Sequence, residues 1–255
     1  MVHALRDPDV LPRNPLIEPP ALTSDNSILL DFDGTMVDLV DRPDAVVMDA
    51  ELGRLIDHLI EVFDRRVAIV SGRSVTQLKF LLGRLATDIA LVGSHGAEVH
   101  AHTSAATPLR PPELDGVEQA IHFQLAGMPG VLIESKTLGV AVHYRLDPCS
   151  EPRVRAVVKD LAASSGLVMQ EGKMMLELRT AGADKGTGIA ALMNQPPFAG
   201  TRPVFAGDDV TDEAGFAAVA RMGGHGVLVG PERPTAARYR LADVGAVRQW
   251  LGRRP

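Results

Sequence analysis

The stretch Ile28–Asp38, ILLDFDGTMVD, places two carboxylates, Asp31 and Asp33, directly behind an apolar run. Charge beside a buried strand is costly unless something neutralises it. The segment from Ser27 to Phe32 is short and apolar and ends in a polar turn, the pattern of a buried parallel strand. Residues two apart on a strand share a face, so Asp31 and Asp33 point the same way. They stand at a strand's carboxyl end, where open α/β sheets hold their ligands. Gly34 lets the backbone turn closely past whatever binds. A hard cation explains the pair: Mg²⁺ takes oxygen ligands and needs few carboxylates. A carboxylate is also a competent nucleophile toward phosphorus. For a D-x-D taken alone, two solvated turn aspartates are the plain alternative.

Outward from this strand, helical and strand patterns alternate. Leu52, Leu55, Ile56, Leu59, Ile60 and Phe63 recur at helical spacing. VAIVSGR, from Val67, reads as a second buried strand. SVTQLKFLLGRL, from Ser74, reads as a helix with Ser74 as its N-cap. IALVGSHGAEV, from Ile89, is a third strand that breaks at Gly93. This alternation predicts a parallel sheet with crossover helices. The proline-rich stretch 102–116 reads as a linker. Beyond it come a helix (117–127), a hairpin-like pair of strands around Thr137–Gly139, a helix (151–166) and two strands around Glu171 and Gly172. That order predicts a small α+β unit with an antiparallel sheet. The alternating texture then returns: a helix starting near Lys185, a strand RPVFAGDD, a helix from Thr211, and a final strand HGVLVG. The expected division is an arm at 1–26, a core at 27–107 and 181–255, and an inserted α+β cap at 108–180. The arm carries five prolines by Pro20 and is expected to be disordered or draped over the surface.

Three other strand or helix ends carry suitable polar groups. Ser71 offers a hydroxyl and a nearby N–H to an anion at a helix start. Lys185 offers a cation at another. Asp208, Asp209, Asp212 and Glu213 follow a strand. N-capping accounts for some of these, but not for Asp208 and Asp209 at the strand end.

In this order, DFDGT, SGR, DKG and GDD resemble the motifs of the haloacid-dehalogenase (HAD) phosphatases. More narrowly, DFDGTMVDLVDRPDAV, SGRSVTQL, GSHGAEV, HYR, QEGKMMLELR, DKGTGIAALM and PVFAGDDVTDEAGF resemble bacterial trehalose-6-phosphate phosphatases. The similarity runs from Ile28 to Trp250. Met36, where the family usually has leucine, is a volume-conserving departure.

The resemblance implies a Rossmann-like parallel-sheet core with a mobile cap. It implies a Mg²⁺-dependent phosphatase that acts through an aspartyl-phosphate. Asp31 would be nucleophile and metal ligand. Asp33 would be general acid, then general base, and a metal ligand through its backbone carbonyl. Asp208 would complete the metal ligands, with Asp209 and Asp212 orienting them. Ser71 and Lys185 would hold the phosphoryl oxygens, aided by N–H groups at Gly34 and Thr35 and by Arg73. Substrate choice would lie in the cap. The residues proposed for the sugar are Glu134, Lys136, His143, Arg145, Lys173 and Glu177. His95 and Glu98 either touch substrate or fix their loop. A related sugar phosphatase, for example one acting on sucrose 6-phosphate, a mutase, and a non-catalytic sugar-phosphate sensor share parts of this pattern.

Composition narrows the partners. The 255 residues carry a net charge of −6 with no basic block, which disfavours nucleic acid and anionic membrane. The lone cysteine, Cys149, excludes an intrachain disulfide framework. The N-terminus has no continuous apolar region. A soluble, cytoplasmic protein, monomeric or weakly associated, with a small sugar phosphate as its substrate, is expected.

Overall fold

The computed structural model describes residues 16–40, 42, 45–101, 104–106 and 109–253. Its first strand, β1 (Asn26–Leu30), is wholly buried, and its side chains alternate between two hydrophobic layers. Ile28 and Leu30 join one cluster, while Leu29 joins the other. The same two-residue alternation places Val67 and Ile69 of β2 (Val67–Val70) on the first side and Ala68 and Val70 on the second. Helices α1 (Ala50–Val62), α2 (Val75–Leu82) and α7 (Val244–Leu251) supply the first layer. Helices α5 (Lys185–Met193) and α6 (Glu213–Arg221) supply the second. Both faces of the sheet are covered, which is why its central strands β1, β2, β3 and β10 are mainly apolar.

The large sheet has eight strands in the order β12-β11-β10-β1-β2-β3-β4-β5. They comprise β3 (Ala90–Gly93), β4 (Glu98–Ala101), β5 (Ser104–Ala106), β10 (Arg202–Gly207), β11 (His225–Val229) and β12 (Tyr239–Leu241), besides β1 and β2. The six from β12 to β3 are parallel; β4 and β5 are antiparallel additions at one edge. From β1 the chain moves to β2 and β3 on one side and returns as β10 on the other. The crevice beyond the carboxyl ends of β1 and β10 is therefore the topological switch point.

Between β5 and α5 lies the inserted unit. It is a four-stranded antiparallel sheet, β6 (Leu132–Lys136), β7 (Gly139–His143), β9 (Met175–Arg179) and β8 (Val168–Gly172) in that order. Helices α3 (Glu113–Gln124) and α4 (Glu151–Ser165) cover one face. Val140, Val142, Leu176 and Leu178 point into that covered face. The opposite face carries Glu134, Lys136, Gln170 and Glu177, and is turned to the core.

Several expectations are corrected. The stretch 102–116 is not all linker: β5 pairs with β4, and α3 begins at Glu113. HGVLVG is not the last strand, because β12 and α7 follow; β12 has three residues, too few to show a period. The turn joining β8 to β9 lies at Lys173–Met174, not at Glu171–Gly172, and Met174 takes the positive φ of 59°. Of the N-terminal arm, residues 1–15 lie outside the described part. From Leu16 on, Ile17 bridges to Tyr239, Leu22 is buried, and the Trp250 indole donates to the Pro20 carbonyl at 2.9 Å. Among the described residues, no helix is long and apolar enough to cross a membrane.

The cap sheet depends on its own small core. Leu178→Ala removes a fully buried side chain there and is expected to destabilise the protein by about 2–5 kcal/mol, read from urea melts.

Candidate active site

The switch-point crevice gathers three buried carboxylates. Oxygens of Asp31, Asp208 and Asp212 all lie within 4.8 Å of one another. Asp31 follows β1, Asp208 follows β10, and Asp212 closes the turn before α6. Lys185, the first residue of α5, donates to Asp31 Oδ1 at 2.7 Å and to Asp212 Oδ1 at 2.6 Å. Burial alone would lower the Lys185 pKa, but Asp212 and Asp31 outweigh it and keep the ammonium charged. Burial raises the Asp31 pKa well above its ordinary value, and Asp212 and Asp208 add to the rise against the pull of Lys185.

Sequence reading placed Asp212 behind the ligands; the structure brings its carboxylate into the cluster. It could do so only because Gly207 has no side chain, since a Cβ there would strike the Asp212 carboxylate. Gly34 works similarly. Its φ is +88°, and a Cβ would overlap the Asp208 carboxylate.

The cluster has the character of a cation site. Asp208 Oδ1 is buried without a hydrogen-bond partner. Among the described residues, two ammonium groups, of Lys185 and Lys173, contact the three carboxylates. Hard oxygen donors with surplus negative charge suit a divalent cation of the Mg²⁺ type.

Around the cluster, Ser71 follows β2 and its hydroxyl accepts from the Arg73 N–H at 3.1 Å. Arg73 grips both oxygens of Asp33, at 2.6 and 2.7 Å. Asp33 therefore faces the guanidinium, not the carboxylate cluster. Asp209 caps the short turn before α6, and its N–H donates to Asp212 at 2.8 Å. Gly34, Thr35 and Glu98 turn polar groups to the protein itself. The Gly34 N–H donates to Val37 O at 2.7 Å, and the Thr35 N–H turns to Phe32 O at 3.4 Å, because the loop closes on itself. Glu98 is completely buried and accepts from the Ser94 hydroxyl, so it fixes its loop. That loop needs fixing: Ser94 and His95 have φ of 47° and 52°, a costly region for residues with a Cβ. Gly96 packs directly on the Asp184 carbonyl and completes the turn.

The cap reaches the core through polar bonds. Lys136 donates to Glu177 at 2.6 Å and to the Gly72 carbonyl at 3.2 Å. His95 meets Glu177 at 3.3 Å and Gln170 at 2.9 Å. Burial pushes the His95 pKa below its ordinary value, and Glu177 offsets this only in part. Glu134 accepts from His143 at 2.8 Å and from Gln77 at 2.7 Å. Lys173, at the tip of the β8–β9 turn, pairs with Asp208, and Arg145 donates to the Lys173 carbonyl at 3.1 Å. Gly139 and Ala141 on the central strand leave room for these side chains; a Cβ on Gly139 would come within 2.7 Å of Glu177 Oε1. Sequence reading missed Gln170, Arg179 and Gln77. Gln170 and Arg179 share the Glu177 face by register, and Arg179 donates to Gln170 at 2.6 Å. The cavity is about 150 Å³.

A family model described as trehalose-phosphatase matches residues 29–245. The chain belongs to the trehalose-phosphatase family. It is 34% identical over 240 residues to the trehalose-6-phosphate phosphatase of Escherichia coli strain K12, covering 93% of this chain and 89% of that one. It is 36% identical over 217 residues to a probable trehalose-phosphate phosphatase of Sinorhizobium fredii, covering 82% and 80%. A solved structure described as a trehalose-6-phosphate phosphatase related protein superposes with a TM-score of 0.71 at 32% identity, over 88% of this chain and 94% of that one. The C-terminal domain of the Candida albicans enzyme shares the fold, with a TM-score of 0.78 at 22% identity over 94% and 98%. Membership of this family makes the chain a hydrolase of the HAD superfamily.

Glu177 gives a pH test of the cap contacts. Burial alone would raise its pKa, but Lys136 and His95 outweigh it and hold it at about 2. A depressed pKa means stability that is present above the ordinary carboxylate range and lost as pH falls toward the folded value. Glu177→Gln should therefore be less stable than wild type at neutral pH. That difference should shrink as pH falls from about 5 toward 2, which thermal melts across that range would show.

Proposed function

We propose that this chain hydrolyses trehalose 6-phosphate to trehalose and phosphate, with Asp31 as nucleophile. The observation that carries the reading is the Lys185 ammonium shared by Asp31 and Asp212 beside the unpartnered oxygen of Asp208. This is a place for a dianion and a cation at the end of β1. Asp31, Asp208 and the Asp33 main-chain carbonyl would hold Mg²⁺, with Asp212 beside them in the cluster and Asp209 behind. When bound, Mg²⁺ supplies positive charge that offsets repulsion between a carboxylate and a phosphate dianion.

In the first step an Asp31 oxygen attacks phosphorus in line, the bond from phosphorus to the sugar oxygen breaks, and Asp33 donates a proton to that oxygen. In the second, water attacks the aspartyl-phosphate, Asp33 takes its proton, and phosphate leaves. Lys185 and Ser71 orient the phosphoryl oxygens. Arg73 holds both Asp33 oxygens, so the entering phosphate must draw the guanidinium away before Asp33 can act. The sugar rings are read by Glu134, Lys136, His143, Arg145, Lys173 and Glu177, with His95 and Gln170 beside them. Buried charged groups discriminate strongly, because a wrong ligand leaves them unpaired. A cavity of about 150 Å³ is smaller than the ~300–1,000 Å³ usual for ligand pockets, so the cap opens to admit a disaccharide.

The unit that opens is the cap at 108–180, with 27–107 and 181–255 as the core and 1–26 as an arm. A net charge of −6 and a single cysteine support a cytoplasmic enzyme acting on a small molecule, not a nucleic-acid binder, monomeric or weakly associated.

Phosphate release is the test, with trehalose 6-phosphate, sucrose 6-phosphate, glucose 6-phosphate and an aryl phosphate, each with Mg²⁺ and with EDTA. Mg²⁺-dependent preference for trehalose 6-phosphate is expected. Preference for another member would overturn the substrate, and no release from a folded protein would overturn the reaction. Asp31→Asn should lose turnover by about a thousandfold or more while its circular dichroism is unchanged. Glu134→Ala should raise KM for the disaccharide phosphate more than for the aryl phosphate. It is a cleaner probe than Lys173, which also touches Asp208.

A further inference from the structure

Gln77 belongs to the core, yet its side chain ends on the cap. It is the third residue of α2, just after the Ser71–Ser74 turn. Its Oε1 accepts from the Ser74 N–H at 2.9 Å and from the Ser74 hydroxyl at 3.2 Å. Its own N–H donates to the Ser74 hydroxyl at 3.2 Å, which completes a capping box. With the carbonyl end of the amide fixed in this way, the NH₂ end can point only outward. There it donates to Glu134 Oε1 at 2.7 Å, and His143 holds the other Glu134 oxygen.

A capping box accepts glutamate as readily as glutamine at this position. Helix capping therefore does not explain the amide. Facing Glu134, a glutamate would set two carboxylates against each other; only glutamine both caps α2 and donates to the cap. The location adds to this. Arg73, Glu134 and His143 line the cavity over Asp31 and also a larger groove of about 1050 Å³ on the other side. Gln77 lines that groove, so its bond to Glu134 stands in the wall between the two spaces.

We propose that Gln77 is a positioning residue for sugar recognition: its amide ties the start of α2 to Glu134 and sets the cap's polar face against the core. This rests on the reading of Glu134 as a sugar contact.

Kinetics of Q77E, E134Q and the double variant Q77E/E134Q test it, with trehalose 6-phosphate and p-nitrophenyl phosphate. Q77E should raise KM for the disaccharide phosphate about tenfold or more, as expected for a lost hydrogen bond to a half-buried charge. Turnover of the aryl phosphate should stay within about twofold, because the capping box at the start of α2 survives. In the double variant the amide and carboxylate exchange places and the bond can re-form. E134Q should therefore cost less in the Q77E background than in wild type. Equal loss on both substrates, an unchanged KM, or additive losses would overturn the proposal. Amide hydrogen exchange without substrate separates this from the substrate reading. Q77E should exchange faster across Leu132–Lys136, and unchanged exchange would overturn the tie. Wild type that ignores trehalose 6-phosphate would overturn the substrate and leave the exchange test standing.

Discussion

The Lys185 ammonium, buried between Asp31 and Asp212, is the constraint on which the site depends. Three carboxylates at the end of a buried strand repel one another and lose their hydration. One ammonium at the first turn of α5 reduces that cost enough for the cluster to form, yet it leaves Asp208 Oδ1 unpartnered. The fold is arranged around this compromise. Strands β1 and β10 are neighbours, so their ends deliver Asp31 and Asp208 side by side. Glycines at 34 and 207 remove the side chains that would hold the carboxylates apart.

A second consequence is that the site is finished by another unit. The core offers negative charge and one buried lysine. The cap brings Lys173 to Asp208 and Lys136 to the Gly72 carbonyl. Its sheet can do this because one face is apolar and packs on α3 and α4, while the other is polar and packs on nothing of its own. Buried polar groups on such a face must be paired, and here the core supplies the partners: Gly72, Gln77 and His95. Lys136 pairs with Glu177, and Glu134 with His143, so these groups hold one another in place on that face.

Much of this was legible in the chain itself. The apolar runs ending in Asp31, Ser71 and Asp208 specified buried parallel strands, because only a strand covered on both faces is apolar at every position. The change of texture after Ala101 marked an inserted unit, and period-two pairs such as Glu134 with Lys136 marked its polar face. The motif order named the family, and the comparisons agree. Short elements escaped: β5 and β12 have three residues each, too few for a period, and they exist because neighbouring strands offer an edge. What only the tertiary structure decided was which groups meet. Asp212 looked like a helix cap until Gly207 and Lys185 drew it into the cluster. Of the two readings of Glu98, its burial and its bond from Ser94 favour fixing the loop. Gln77 carried no signal of its own in the chain, because its partner Glu134 lies 57 residues away. Periodicity reports the environment of each side chain along one element, whereas a contact between distant residues depends on how whole elements pack, and no local pattern encodes it.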